Sequence, residues 1–465
     1  MYDLVIRGGT IVTAGSLGIG DLGVAGEKIA QIGGEMRGRQ ELDAHGKLVL
    51  PGGVDGHVHL TSPDDPAPGL DLWVDDFCSG SRAAIAGGVT TLGNMTFQRP
   101  GETLAGAIER ELALAQHHAA VDFVLHPVLT WASPEVFQGI PQLAAEGHTS
   151  LKLFLPFEGL LEANASDILQ AMRLAAANGM LALVHCEDGA LLEWAADDLL
   201  ARGRGSPHHY AESRPDYAES AATERAIAMA RATGASIYVV HLSSAVALAA
   251  CRRARTSGLP VYVETRPLYL YLTRELFARP DGAKYTGAPP LREATDVQAL
   301  WNGLHSGDIQ CVGTDHAPWT LSQKLNPALD VRTACQGVAE LETLRPMLYS
   351  EGVRGGRISL SRFVELTSTN PAKLLGMYPQ KGTIAIGSDA DLVVWDPAER
   401  RVVEGATMES RAGFSVYDGR EVRGWPLYTI SRGEVVLRPT PSGGHEILAE
   451  PGRGRWVRRG KTTAL

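Results

Sequence analysis

Eight short apolar runs recur between residues 49 and 318, and alanine-rich segments of helical period stand between most of them. The runs are VLPGGVDGHVHL (49–60), VTTLGNMT (89–96), VDFVLHPVLT (121–130), SLKLFLPF (150–157), MLALVHCED (180–188), ASIYVVHLS (235–243), LPVYVETRPLYL (259–270) and IQCVGTDHAP (309–318). Stretches such as TLAGAIERELALAQHHAA (103–120) and AATERAIAMARAT (221–233) repeat small apolar residues at intervals of three and four. Near-continuous apolar strands alternating with helices predict a parallel sheet covered by those helices, and eight of them predict a closed α/β barrel of the (β/α)₈ TIM-like class. An open doubly wound sheet is the other arrangement of this pattern, but no GxGxxG follows the first run to support it.

The two ends follow a different rule. Residues 1–48 and 379–440 alternate strand-like runs with GG, AG and GE turns, as in LVIRGGTIVT and GTIAIGSDADLVVWDP. Each end is too short to bury a sheet alone, so the two are predicted to pack together as one small β domain beside a barrel of residues 49–378. Residues 441–465, rich in glycine, proline and arginine, read as an extended tail that packs on a neighbouring subunit. A chain of 465 residues has room for both a barrel of roughly 250 residues and such a satellite.

Charge narrows the partners. A net charge of −10 without a Lys/Arg-rich block argues against nucleic acid. No window approaches 18 uncharged apolar residues, and MYDLVIRGGTIVT lacks the plan of a signal peptide, so the chain reads as cytoplasmic with no membrane partner. The five cysteines, an odd number without CxxC spacing, read as reduced thiols.

The C-terminal mouth of such a barrel holds its active site, so the strand ends carry the chemistry. His57 and His59 stand one residue apart on the first run and face one side of an extended strand. Lys152 stands on the fourth run, His185 on the fifth, His241 on the sixth and Asp315 on the eighth. Each alone has an ordinary explanation: a strand lysine snorkels, a core histidine is hydrogen-bonded, an aspartate caps a helix. Together they bring six residues that are metal-ligand types, or can become one, to a single mouth. Lys152 has apolar flanks, and burial lowers an amine's pKa from about 10.4 towards a neutral form. A neutral amine reacts with CO₂, and the resulting carbamate is a carboxylate on a long arm that bridges two cations. His117, His118, His208 and His209 read as exposed, His126 as core, and His316 as support for its neighbours at most.

On these residues the sequence resembles the cyclic amidohydrolases: dihydropyrimidinases, hydantoinases, allantoinases and, more distantly, dihydroorotases. The resemblance rests on PGGVDGHVHL, SLKLF, LALVHCED, IYVVHLSS, VYVETRPLYLYLT, GAKYTGAPPLR, GTDHAP, NPAKLLGMYPQKGTIAIGSDADLVVWD and GRWVRR, in the family's order from about residue 2 to 459. It implies a distorted barrel with a small β-sandwich domain, assembled as a homotetramer or homodimer. It implies that His57, His59, carbamylated Lys152, His185, His241 and Asp315 bind two divalent metal ions, usually zinc. It further implies opening of the cyclic amide of a hydantoin- or dihydropyrimidine-like ring to a carbamoyl acid by a metal-bridging hydroxide, with Asp315 as general base and then acid. An allantoinase or another cyclic ureide or imide hydrolase is the alternative. Some relatives are non-enzymatic cytoskeletal adaptors that have lost metal ligands, whereas all six ligand types are present here.

Three substrate-binding positions depart from the family's pattern. Phe157 replaces a tyrosine five residues after the bridging lysine, and so removes an oxyanion donor. Ala288 replaces a serine before the paired prolines, where the contact is usually through the backbone. Gln336 stands where an asparagine often meets the substrate amide. VETRPLYLYL and LWNGLHSGDI look more hydantoinase-like than dihydroorotase-like, and no cluster of arginines suits an orotate carboxylate.

Overall fold

The eight runs contribute eight parallel strands: β1 (Gly53–Val58), β2 (Val89–Phe97), β3 (Asp122–Val128), β4 (Ser150–Phe154), β5 (Leu181–His185), β6 (Ser236–Val239), β7 (Val261–Thr265) and β8 (Cys311–Val312). They pair in that order in a computed structural model that describes residues 1–61, 73–155, 163–441, 443–463 and 465. Every residue of β1, β3, β5 and β7 is buried, as strands covered on both faces require. The ring closes between its ends: Val58 bridges His316, and the His59 N–H donates to the His316 carbonyl at 2.8 Å. Asp55 reinforces that seam, accepting from the Thr314 hydroxyl at 2.5 Å and from the Thr314 N–H at 3.2 Å.

Two of the runs are shorter or more broken as strands than their apolar length. The 49–60 run is two strands in two sheets. Leu48–Pro51 pairs with Leu392–Val402 and Tyr2–Val12, and the chain then crosses at Gly52, whose N–H donates to Asp391 O at 2.8 Å, to begin β1. Strand β8 keeps only two residues, because Thr314 turns its backbone and hydroxyl to Asp55. The helices begin and end where capping chemistry places them. Leu104–His118 starts at Thr103, whose hydroxyl accepts the Gly106 N–H at 3.1 Å. Asp216–Thr233 starts after Pro215, five residues ahead of the periodic stretch, and ends at Gly234.

Strands from both termini build one nine-stranded mixed sheet. Its organiser is Tyr2–Val12, which pairs with Leu17–Ala25 along one edge. Along the other edge its first half takes Gly38–Asp43 and its second half Leu48–Pro51. The change falls at Gly8, where φ is +65° and a Cβ would lie 2.2 Å from the His45 ring. Leu4, Ile6, Val24, Leu392 and Val394 fill the core beneath. The tail packs along its own barrel. The Phe123 N–H donates to Arg455 O and the Val457 N–H to Phe123 O, both at 2.9 Å, and the buried Arg459 donates to Ser150 Oγ and Leu125 O. No helix among the described residues is long and apolar enough to cross a membrane.

Sheet and barrel meet at a buried charge cluster. The Lys381 ammonium lies 2.5 Å from Asp122 at the start of β3, 2.9 Å from Asp389 and 2.7 Å from Asp391. Burial opposes its charge, and Asp391, Asp122 and Asp389 outweigh that and hold it protonated. Three carboxylates this close resemble a cation site, and the lysine is the cation. Lys381→Met therefore strands buried carboxylates and is expected to cost about 3–5 kcal/mol, read as an earlier urea midpoint. The exposed Arg438–Glu446 pair is the contrast: Arg438→Met should barely move that midpoint. Equal shifts from the two variants would show that Lys381 does not hold the joint.

Candidate active site

At the C-terminal mouth of the barrel the strand-end residues meet. His57 and His59 leave β1 beside Asp315, with His59 Nε2 2.9 Å and His57 Nε2 3.2 Å from Asp315 Oδ1. His185 ends β5, and its Nδ1 lies 2.9 Å from His241 Nε2. The His57 and His241 ring centres are 5.4 Å apart, which makes the two groups one cluster. Lys152, in the middle of β4 and 1% exposed, lines the same cavity as His59, His185, His241 and Asp315. His241 and Asp315 stand just past their strands at φ +40° and +48°, two of only three non-glycine residues with positive φ among those described. Such strain persists where the surroundings over-determine a side chain's direction.

A second ring of charge orients the first. His57 Nδ1 bonds Glu264 Oε1 at 2.8 Å, and Glu264 also accepts from the Tyr238 hydroxyl and the His241 N–H. His185 Nε2 faces Glu187, which Arg214 holds from the far side. Arg266, fully buried, reaches Asp315 Oδ2 at 3.0 Å and Glu340 at 3.1 Å. Desolvation lowers the pKa of His57, His59, His185 and His241, so all four imidazoles are neutral. Burial would raise the Asp315 carboxyl, but its surroundings, the His57 ring, the Arg266 guanidinium and the hydrogen bond from His59, hold it well below the usual range. Burial brings the Lys152 amine down to about 8 against the pull of Asp315 and Glu264.

This arrangement fits a bound cation. With Nδ1–H given to Glu264, His57 presents a lone pair at Nε2, 3.2 Å from an ionised carboxylate oxygen. Two acceptors at that distance repel unless something positive lies between them. His57 Nε2, His59 Nδ1 and His241 Nδ1 are buried without a hydrogen-bond partner, and the ligand atoms of His57, His59 and Asp315 lie within 4.8 Å of one another.

Above this floor opens a cavity of about 1170 Å³. Trp73, Phe97 and Phe154 form a run of neighbouring rings along it, and Trp131 lines it as well. Neighbouring rings among them are spaced by about 6 Å, with Trp73 4.6 Å from the His59 ring. Ala288 and Gln336 line the cavity too.

The amidohydrolase family profile matches residues 48–436. A D-hydantoinase of Ralstonia pickettii is 37% identical over 463 residues, 99% of each chain, and a D-phenylhydantoinase of Escherichia coli is 36% identical over 98% of each. The crystal structure of a dihydropyrimidinase from Brevibacillus agri superposes with a TM-score of 0.94 at 38% identity, covering 99% of each chain. The chain belongs to the amidohydrolase family. It is a hydantoinase- and dihydropyrimidinase-like enzyme acting on cyclic amides, not a non-enzymatic adaptor.

In this amidohydrolase the eight described residues singled out from sequence all reach the mouth: His57, His59 and Asp315 as one cluster, His185 and His241 as a touching pair, Lys152 beside them, Ala288 and Gln336 above. Phe157 lies outside the described residues. His126 is core, bonded to Ser150 Oγ at 2.6 Å, and His316 supports the seam through Asp75 at 2.9 Å. Sequence reasoning missed Asp55, Glu187, Arg214, Glu264, Arg266 and Glu340. Glu187, Glu264 and Arg266 did carry a signal, a charged residue at a strand end as in HCED and VETR, where an apolar strand has no reason to carry one; Asp55, inside β1, and Arg214 and Glu340, on connecting segments, did not. Arg214 and Arg332 line the cavity but are paired with Glu187 and Asp197, so among the described residues no free guanidinium pair awaits a second carboxylate.

Glu264 tests the orienting ring. Glu264→Gln keeps the shape but offers His57 an amide in place of a carboxylate, and metal affinity should fall about 10- to 100-fold. Calorimetric zinc titration of the stripped protein measures this, and an unchanged affinity would mean that Glu264 does not orient His57.

Proposed function

We propose that the chain hydrolyses the ring amide of a 5-substituted hydantoin or dihydropyrimidine to an N-carbamoyl acid, with an apolar ring substituent favoured. The observation that carries this reading is the division of one cavity into a floor of neutral imidazoles, Lys152 and Asp315 and a wall of neighbouring aromatic rings, Trp73, Phe97 and Phe154. A planar ureide ring suits the floor, and an aryl or alkyl substituent suits the wall. The polar ureido group of allantoin would set hydrogen-bonding atoms against aromatic faces, which disfavours the allantoinase alternative.

Two divalent cations, zinc in the first instance, fit this donor set. His57, His59 and Asp315 would hold one, His185 and His241 the other, and a carbamate on Lys152 would bridge them. An amine brought to about 8 is partly neutral near pH 7 and open to CO₂; carbamylation also turns a cation facing two metal ions into an anion. The chemistry such ions supply when bound is Lewis acidity towards a carbonyl oxygen and a lowered pKa for water. Asp315 takes the proton of the attacking water and returns it to the ring nitrogen as the C–N bond breaks, since an unprotonated amide nitrogen leaves poorly. Arg266 on Oδ2 fixes the plane of that carboxylate while Oδ1 faces the histidines. The aromatic wall excludes water from the other side of the ring.

Purified protein assayed on hydantoin, 5-phenylhydantoin, dihydrouracil, allantoin, dihydroorotate and cyclic imides should show the highest kcat/KM on 5-phenylhydantoin. Allantoin as the best substrate would overturn the reading of the wall. Chelation should abolish turnover, and zinc, manganese or cobalt should restore it; full activity in stripped protein would remove the metals from the mechanism. Lys152→Ala should lose both activity and bound metal. Asp315→Asn should lower kcat by at least about 10²-fold, and a loss below tenfold with metal retained would exclude Asp315 as the proton carrier.

A further inference from the structure

Lys324 is a buried lysine that the mechanism above does not use; burial brings its amine down to about 7, and it is the three acceptors around it that favour the ammonium. It ends the short helix Leu321–Lys324 that follows the Asp315 segment, is 1% exposed, and makes no ion pair among the described residues. Its ammonium instead donates to three backbone carbonyls: Thr286 O at 2.8 Å, Cys335 O at 3.0 Å and Gly337 O at 2.6 Å. Three N–H groups meet three acceptors. Those acceptors belong to two separate loops, and each loop carries a residue of the cavity rim: Ala288 two positions after Thr286, and Gln336 between Cys335 and Gly337.

The surrounding bonds tie the same knot. The Thr286 hydroxyl donates to Cys335 O at 2.6 Å, the Gly337 N–H donates to Thr286 O at 3.1 Å, and the Trp319 indole donates to Gln336 O at 2.9 Å. Gly337, at φ +118°, lets this loop lie so close to the Asp315 segment that a Cβ would stand 2.3 Å from Ala317 O. Three buried carbonyl oxygens aimed at one point repel each other, and the ammonium removes that repulsion and satisfies all three. Without it the loops have reason to part.

We propose that Lys324 is a positioning residue for the substrate: its ammonium cross-links the Ala288 loop to the Gln336 loop and sets the gap between the two rim segments that receive the ring. This rests on the cyclic-amide reading above. Lys324 touches neither the strand-end cluster nor the ring, so it acts on binding through the two loops. Ground state and transition state use that gap alike, so its loss should appear in KM more than in kcat.

The test compares parent, Lys324→Met, Lys324→Ala and Thr286→Val, fully loaded with zinc, on whichever cyclic amide the parent turns over best. Lys324→Met should raise KM about tenfold or more with kcat within about threefold and zinc content unchanged. Thr286→Val, which removes one bond of the knot at nearly constant volume, should raise KM in the same direction by less, and carries the test should the lysine variants fail to fold. In Lys324→Ala, n-propylammonium, which replaces the atoms lost beyond Cβ, should restore KM, while sodium chloride at equal ionic strength should not. Parental KM in Lys324→Met, or parental KM in Thr286→Val when the lysine variants do not fold, would overturn the proposal. So would a joint loss of kcat and zinc, or a KM in Lys324→Ala indifferent to the amine. Failure of the parent itself on every cyclic amide would instead overturn the functional reading, and this inference with it.

Discussion

The seam between β1 and β8 is the constraint on which the site depends. Asp55 and Thr314 are 259 positions apart, yet the bonds between them bring the His57 and His59 pair within 3.2 Å of Asp315. A doubly wound sheet with the same strand ends would leave those residues at opposite edges, with no shared ligand volume. Closure makes the candidate metal-site set, and the set's polar atoms in turn occupy the mouth of the ring. The cost of burying Asp55, whose carboxyl burial pushes up to about 7, is offset by three donors from Thr314 and His57.

Backbone geometry at the mouth follows from the same closure. Strands β6 and β8 stop early, and the residues just past them, His241 and Asp315, adopt left-handed backbone that points their side chains inward. Non-glycine residues hold such dihedrals only when hydrogen bonds and packing on several sides leave no alternative. Here those bonds are His241 N–H to Glu264 and the Asp315 carboxylate to Arg266. Glu264 and Arg266 stand two residues apart across the end of β7, so one strand end steers ligands delivered by β1, β6 and β8.

The architecture and the strand-end cluster were legible in the sequence because both are local patterns. An apolar run of five residues announces a buried strand wherever it lies, and a histidine or lysine at its end is conspicuous against that background. The parts that were not legible depend on partners far away. Lys324 looks like an ordinary helix-end lysine until its carbonyl acceptors, 38, 11 and 13 positions distant, are brought around it. Lys381 likewise reads as a surface lysine in YPQKG, and only the fold surrounds it with Asp122, 259 positions away. The break of the 49–60 run was hidden for the opposite reason: both halves are apolar and extended, so periodicity gives no sign that they serve different sheets. The tail's grip on its own barrel was not legible either, because Arg459 finds its acceptors at Ser150 and Leu125, more than 300 positions away.

The two described positions where this chain departs from its family's pattern, Ala288 and Gln336, fall on loops, and a physical reason separates them from the strand ends. A change at His57 or Asp315 disturbs ligand geometry, the seam and the orienting ring together, since each of those side chains has partners on at least two other strands. Ala288 and Gln336 sit beyond the strands, on segments whose spacing is held by backbone carbonyls around Lys324 and not by their own side chains. A side chain there can change without moving the loop that carries it. The strand-end cluster is thus built where geometry is over-determined, and the rim positions lie where it is free to vary, so side chains at the rim can change while the floor of the cavity stays as it is.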